Sequence, residues 1–157
     1  MRIGEQAPDF ELPDQYGNPR RLSTLLADGP VVLFFYPAAM TAGCTRQACH
    51  FRDLASEFAD AGVQRVGISM DSVDKQRQFA DKHAFDYPLL ADVDGTVAAQ
   101  YGVRRGKLGA TLGAPVKRWT FAIDADSRIV EVVHSEVNFD THADTALAAL
   151  TAHTSTG

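Results

Sequence analysis

Cysteine is scarce in this chain: Cys44 and Cys49 are the only two among 157 residues. Long apolar runs are missing as well, since the longest, from Val31 to Ala39 and broken by Pro37, is far too short to span a bilayer. Nor is there an excess of positive charge: 15 Lys and Arg stand against 20 Asp and Glu, a net charge of −5. That balance argues against broad electrostatic binding to nucleic acid or to an anionic membrane, both of which want a basic face. The pairs Arg104-Arg105 and Lys117-Arg118 read as solvated loop charges. The amino terminus, Met1-Arg2-Ile3-Gly4-Glu5, leads into polar residues and not into an apolar leader. No internal repeat, linker or low-complexity stretch divides the sequence. These absences predict a single cytoplasmic domain spanning 1–157, long enough to bury a real core. In a reducing compartment, two cysteines read as catalytic or redox-active rather than as a structural staple.

What is present follows a regular alternation. Pro8 to Leu12 alternates apolar and polar, Asp14-Gln15-Tyr16-Gly17-Asn18 has turn chemistry, and Arg20-Arg21-Leu22 resumes, which predicts an edge hairpin. Ser23 is placed to cap a short helical turn that ends before Gly29-Pro30. Val31 to Tyr36 is apolar on both sides, the mark of a central parallel strand covered by helices. A helix is predicted from about Ala42 to Asp60 with Gly62 as its stop, then a buried strand from Val63 to Ser69. Ser72 caps a helix to about Ala84, a short strand covers Tyr87 to Leu90, and a small helix ends at Gly102. The Gly-rich stretch from Arg104 to Val116 reads as a long irregular loop. Arg118 to Asp124 and Arg128 to Val133 form an antiparallel hairpin, and Asp140 caps a final Ala-rich helix to about Ala152. The order is that of an α/β protein: a thioredoxin-like fold with a central mixed sheet, flanking helices and an N-terminal β-hairpin extension.

Cys44 falls in the first turn of the helix predicted after Thr41, where unpaired backbone N–H groups and the macrodipole favour an anion. At about 100° per residue, Cys44, Ala48, Phe51, Ala55 and Phe58 share one apolar stripe, so Cys44 points into the body of the protein. Cys49 is turned by roughly 140°, onto a wet face with Thr45, Arg52, Asp53 and Ser56. Helix geometry separates the two α-carbons by about 8.5 Å, beyond the roughly 7 Å that a disulfide allows. Either the cysteines never pair, or pairing requires the first turns to unwind. On the residues alone, a reactive pair stands beside an ordinary buried cysteine with a neutral surface companion. A metal site is a further alternative, but Cys44, Cys49 and His50 lack the usual ligand spacing and no second ligand pair follows. His83, His134, His142 and His153 are scattered and read as surface or packing residues.

The turn Pro37-Ala38-Ala39-Met40-Thr41-Ala42-Gly43-Cys44 matches P-x-x-x-T-x-x-C, and the chain here resembles the peroxiredoxins. The cysteine five residues on, in Gly43-Cys44-Thr45-Arg46-Gln47-Ala48-Cys49, is similar to the bacterioferritin comigratory protein (peroxiredoxin Q) subfamily. The likeness continues through Gly4 to Phe10, Gly67 to Ser72, Tyr87 to Asp92, Arg118 to Phe121 and Ile123-Asp124, and so covers most of the chain. The resemblance implies a thiol peroxidase acting on hydrogen peroxide and organic hydroperoxides. By it, Cys44 is the peroxidatic cysteine and Pro37, Thr41 and Arg118 complete its site. Thiolate attack on an O–O bond puts negative charge on the departing oxygen, so the chemistry needs a nucleophile and fixed donors. Thr41 offers its hydroxyl, Gly43 and Cys44 their backbone N–H groups, and Arg118 a permanent cation that favours the thiolate. Pro37 shields the sulfur from bulk water. The resemblance further implies that Cys49 resolves the sulfenic acid as an intramolecular disulfide, reduced by thioredoxin or a similar dithiol protein. It implies no cofactor, no metal, and a monomer or weak homodimer.

Each residue also has a plainer reading: Thr41 as a helix N-cap, Pro37 as a strand terminator, Arg118 as a surface arginine. Two other activities stay open, a general thiol–disulfide oxidoreductase, which normally presents C-x-x-C, and a non-enzymatic binding domain with an unreactive Cys44. The chain departs from the family pattern at Ala38-Ala39-Met40, usually polar, and at Ala42, often proline. These changes make the pocket rim more apolar, with an expected effect on peroxide preference or partner docking.

Overall fold

The computed structural model describes residues 1–106 and 114–156. The elements are β1 (Glu11–Pro13), β2 (Pro19–Arg21), α1 (Leu22–Leu26), β3 (Val31–Phe35), α2 (Ala42–Asp53), α3 (Ala55–Ala61), β4 (Gln64–Ser69), α4 (Val73–His83), β5 (Leu89–Ala91), α5 (Thr96–Gln100), β6 (Trp119–Ile123), β7 (Ile129–His134) and α6 (Asp140–Thr156). β1 and β2 pair as an antiparallel hairpin, and the other five strands form one sheet in the order β5-β4-β3-β6-β7. β3 is parallel to β4 and antiparallel to β6, so the sheet is mixed. This is the thioredoxin-like arrangement with its N-terminal hairpin.

β3 is the sheet's central strand and is buried throughout. Successive side chains of a strand point to opposite faces, and here that alternation divides the core. Val31, Leu33 and Phe35 face a cluster with Leu22 and Leu26 of α1 and Val97 and Ala98 of α5. Val32, Phe34 and Tyr36 face the other side, with Phe51, Phe58, Phe79 and Leu150 from α2, α3, α4 and α6. Phe34 stacks on Phe51 with ring centroids 4.1 Å apart and planes 8° from parallel, which fixes α2 on this face.

Some expectations are corrected. The helix after β3 is not continuous to Asp60: it ends at Asp53, Leu54 leaves helical geometry (φ −92°, ψ 19°), and α3 starts at Ala55. Arg65 Nη1 donates to the Phe51 carbonyl at 3.0 Å, the group a continuous helix would offer to the Ala55 amide. Gly62, with φ 69°, stops α3 as the sequence predicts. Ser23 does not cap α1, because its own amide and hydroxyl donate to the Asp9 carboxylate at 2.9 and 3.0 Å. Ser72 does cap α4, accepting from the Lys75 amide. Residues 107–113 of the expected irregular loop lie outside the described residues, but its flanks are paired. Arg104 bridges Val116, the Arg105 amide donates to the Pro115 carbonyl at 2.7 Å, and the Lys117 amide to the Val103 carbonyl at 2.8 Å. Asp140 is the first residue of α6, which runs on to Thr156. Among the described residues no helix is long and apolar enough to cross a membrane.

Gly67 lets the Phe34–Phe51 stack form. A Cβ there would lie 2.8 Å from Leu89 Cδ2 and 2.9 Å from Phe34 Cζ, on a buried strand with no free space to yield. Gly67→Ala is expected to destabilise the fold by about 1–3 kcal/mol, the usual range for overpacking, seen as a lower midpoint in urea unfolding.

Candidate active site

The segment after β3 is held by polar groups from the neighbouring strand and helix. The Tyr36 amide makes the last ladder bond, to the Ile68 carbonyl at 3.1 Å. Pro37, half-buried, has no N–H with which to extend the ladder. The Ala39 amide then donates to Asp71 Oδ2 at 2.8 Å, an oxygen that also accepts from Ser69 Oγ at 2.6 Å. Gln76, fully buried on α4, donates to Ser69 Oγ at 2.9 Å and to the Leu90 carbonyl at 2.8 Å, and accepts from the Tyr36 hydroxyl. Four side chains, from the strand end, β4, the turn after β4 and α4, thus tie the loop to the sheet. Met40 completes the turn with φ 70°, a left-handed conformation that a non-glycine residue adopts at a cost, and its side chain is exposed.

Thr41 is the N-cap residue of α2 by position but not by side chain. Its hydroxyl donates to the Ala38 carbonyl at 2.7 Å, and it makes no capping bond. The helix ladder begins with the Thr45 amide donating to the Thr41 carbonyl at 2.8 Å, so the amides of Ala42, Gly43 and Cys44 precede it. An uncapped helix start of this kind attracts negative charge.

Cys44 is 1 % exposed, beneath that helix start, and both cysteines are free thiols. Arg118 is only 6 % exposed, against the reading of Lys117-Arg118 as solvated loop charges. Its Nη2 donates to Cys44 Sγ at 3.4 Å and its Nη1 to Gln47 Oε1 at 2.7 Å. Its nearest carboxylate, Glu136, is half-exposed and 3.9 Å from Nε, and Nε is buried without a hydrogen-bond partner. A buried guanidinium so incompletely matched leaves positive potential where the sulfur sits. Gln47, fully buried one helical turn from Cys44, orients Arg118 without neutralising it, as a carboxylate would.

Cys49 is not on a wet face. It is half-buried against the cluster that contains Phe51, Phe79, Phe85 and Tyr87. The chain after α4 covers this side of the helix: the Tyr87 hydroxyl donates to the Ala48 carbonyl at 2.6 Å, and Arg52 Nη1 to the His83 carbonyl at 2.8 Å. Burial raises the Cys49 thiol pKa; Arg52 lowers it in part and Asp53 adds to the rise. Since α2 is helical from Ala42 to Asp53, both cysteines lie on one unbroken helical span.

The structure thus brings together Cys44, Arg118 and the helix start, and places Thr41 and Pro37 in the loop that leads to them. Sequence reasoning missed Gln47, although a polar residue three positions from Cys44 on the apolar stripe was the available signal. It also missed Asp71, Gln76, Glu136 and Phe139, which reach the site from other elements and carry no local pattern. Among the described residues no group of three or more His, Cys, Asp or Glu is placed to hold a metal ion.

Residues 3–132 match the family described as AhpC/TSA. The chain is 62 % identical to the peroxidoxin BcpB of Mycobacterium tuberculosis, whose crystal structure superposes with a TM-score of 0.91 over 97 % of each chain. It is 39 % identical over 155 residues to peroxiredoxin Bcp of Escherichia coli, covering 98 % of this chain and 97 % of that one. The bacterioferritin comigratory protein of Xanthomonas campestris, studied for alkyl peroxide reduction, is 31 % identical, with a TM-score of 0.81 over 92 % of this chain and 91 % of that one. The chain therefore belongs to the AhpC/TSA family, within its bacterioferritin comigratory protein (peroxiredoxin Q) branch, and is a thiol peroxidase.

Proposed function

We propose that this peroxiredoxin reduces hydrogen peroxide and organic hydroperoxides through Cys44, with Cys49 as the resolving cysteine and a thioredoxin-type dithiol protein as the reductant. The observation that carries the reading is the 3.4 Å approach of Arg118 Nη2 to Cys44 Sγ at the uncapped start of α2. The thiolate attacks one peroxide oxygen in line with the O–O bond. An S–O bond forms as the O–O bond breaks, Cys44 is oxidised to the sulfenic acid, and the departing oxygen takes a proton and leaves as water or alcohol. Charge passes from sulfur to that oxygen, and Arg118 with the Gly43 and Cys44 amides supplies fixed donors to it. Thr41, its proton on the Ala38 carbonyl, keeps lone pairs to accept the peroxide O–H. Pro37 shields the sulfur from bulk water.

The Cys49 thiol then attacks the sulfenic sulfur, an S–S bond forms and water leaves. The two cysteines lie on one intact helix, too far apart for a disulfide, so this step needs the first turns of α2 to unwind. Unwinding also removes the burial that raises the Cys49 thiol pKa. Thiol exchange with the reductant returns both thiols and leaves the disulfide on the reductant. The alkyl peroxide reduction of the Xanthomonas relative supports including organic hydroperoxides. We place the enzyme in the cytoplasm, as one domain acting as a monomer or weak homodimer, with no nucleic-acid or membrane partner and no cofactor in the cycle.

In a thioredoxin-coupled assay Cys44→Ser is expected to abolish turnover, while Cys49→Ser retains one round of peroxide reduction. Equal turnover in Cys44→Ser and the parent protein would refute the assignment. Peroxide-treated protein should show a Cys44–Cys49 linkage by mass spectrometry together with reduced helical circular dichroism; intermolecular disulfides alone would overturn the resolving scheme. Because burial raises the Cys49 thiol pKa, alkylation of Cys49 in Cys44→Ser should be slower at neutral pH than that of an unstructured cysteine peptide. It should accelerate as pH rises, and in urea. Matching rates in folded protein and peptide would remove the case for a masked resolver.

A further inference from the structure

We infer that Phe139 is a positioning residue for peroxide reduction: its ring holds the plane of the Arg118 guanidinium so that Nη2 stays aimed at Cys44. The inference rests on the peroxidase reading of Cys44 given above. Two hydrogen bonds, Nη1 to Gln47 and Nη2 to Cys44, fix where the terminal nitrogens point within the guanidinium plane. They do little against tilting of that plane, and Nε has no hydrogen bond to help. The face of the group is held instead by the Phe139 ring, whose centroid lies 4.8 Å from Arg118 Cζ.

The same ring is wedged against the helix start. A Cβ on Gly43 would lie 2.8 Å from Phe139 Cζ, 3.0 Å from Cε1 and 3.3 Å from Arg118 Nη2. Only glycine at 43 therefore leaves room for ring, guanidinium and helix terminus to close on one another. This arrangement suits the chemistry. A carboxylate stacked here would orient Arg118 but cancel its field, whereas an aromatic face attracts the cation and leaves its charge available to the sulfur.

The segment that carries Phe139, between β7 and α6, is itself pinned from below. His142 is fully buried; its Nε2 donates to the Ser135 carbonyl at 2.7 Å and its Nδ1 pairs with the Thr120 hydroxyl at 2.8 Å. Glu136 Oε1 accepts from the Arg118 backbone amide at 3.1 Å and from Arg105 Nη2 at 3.0 Å. Arg46 pairs with Asp140 at 3.5 Å, directly beyond Phe139.

The test uses the full chain carrying Cys49→Ser, so that Cys44 reports alone. Single-turnover reduction of hydrogen peroxide is followed by stopped flow, and the Cys44 thiolate by its ultraviolet absorbance at neutral pH. Phe139→Ala and Phe139→Leu are each expected to slow peroxide reduction by about tenfold and to lower the thiolate absorbance, while Phe139→Tyr, which keeps the aromatic face, stays within about twofold of the parent. Leucine keeps an apolar wedge against Gly43, so a Phe139→Leu protein equal to the parent in rate and absorbance would reduce the ring to filler and overturn the inference. If Phe139→Ala fails to fold, the Leu and Tyr variants decide it. A parent protein that consumes no peroxide would defeat the peroxidase reading; the absorbance comparison still tests Phe139's hold on Arg118.

Discussion

A guanidinium almost wholly withdrawn from water is costly unless its charge is met, and Arg118 meets it unevenly. Its carboxylate neighbour is half-exposed and at the edge of ion-pair distance, its Nε lacks an acceptor, and its closest buried companions are an amide oxygen and a sulfur. The unmatched charge is what the rest of the site depends on. In the proposed reaction it is a fixed donor for the charge that develops on the departing oxygen. Neutralising Arg118 more completely would ease the burial of its charge and, on the mechanism proposed above, weaken the field at the reacting sulfur, the kind of trade between stability and activity that reaction centres keep.

The sheet exists, from this point of view, to bring two distant stretches within reach. β3 and β6 are neighbours and antiparallel, so the end of β3 that leads to Pro37 lies beside the start of β6, where Arg118 enters. Sequence separation of 74 residues between Cys44 and Arg118 closes to one hydrogen bond. The loop between strand and helix then has to be stiff, and the Tyr36, Gln76, Ser69 and Asp71 network makes it so by satisfying groups that a free loop would give to water.

Much of this was legible in the sequence because it depends on local periodicity. The two-sided apolar run of β3, the Ser72 cap and the Gly62 stop are each written in a few adjacent residues. The placement of Cys44 at a helix start follows from the strand–turn–helix pattern, and the wider family resemblance supplied Arg118, which no local pattern would have selected. What escaped depends on contacts across the fold. Arg65, from another element, takes the Phe51 carbonyl just before the helix breaks, inside the span predicted as continuous. The chain from His83 to Tyr87 lies over Cys49 and turns an outward face into a half-buried one. Asp9 claims the Ser23 amide and hydroxyl before Ser23 can serve as a cap. Side chains recruited from far along the chain leave no signature at the position they alter.

The interruption at Leu54 has a mechanical meaning. Without it, α2 and α3 would melt or hold together as one rod running from the thiol to the Gly62 turn, and each loss of helix at Cys44 would pull on the Phe58 anchor. With it, the chain has a joint, and the Phe51 carbonyl stays clamped by Arg65 on the near side of that joint. Under the resolving step proposed above, the first turns of α2 open while its Phe51 end stays clamped and α3 keeps its place on the sheet. In that proposed cycle the hinge makes the moving part a replaceable fuse, because the joint at Leu54 bounds the segment that opens.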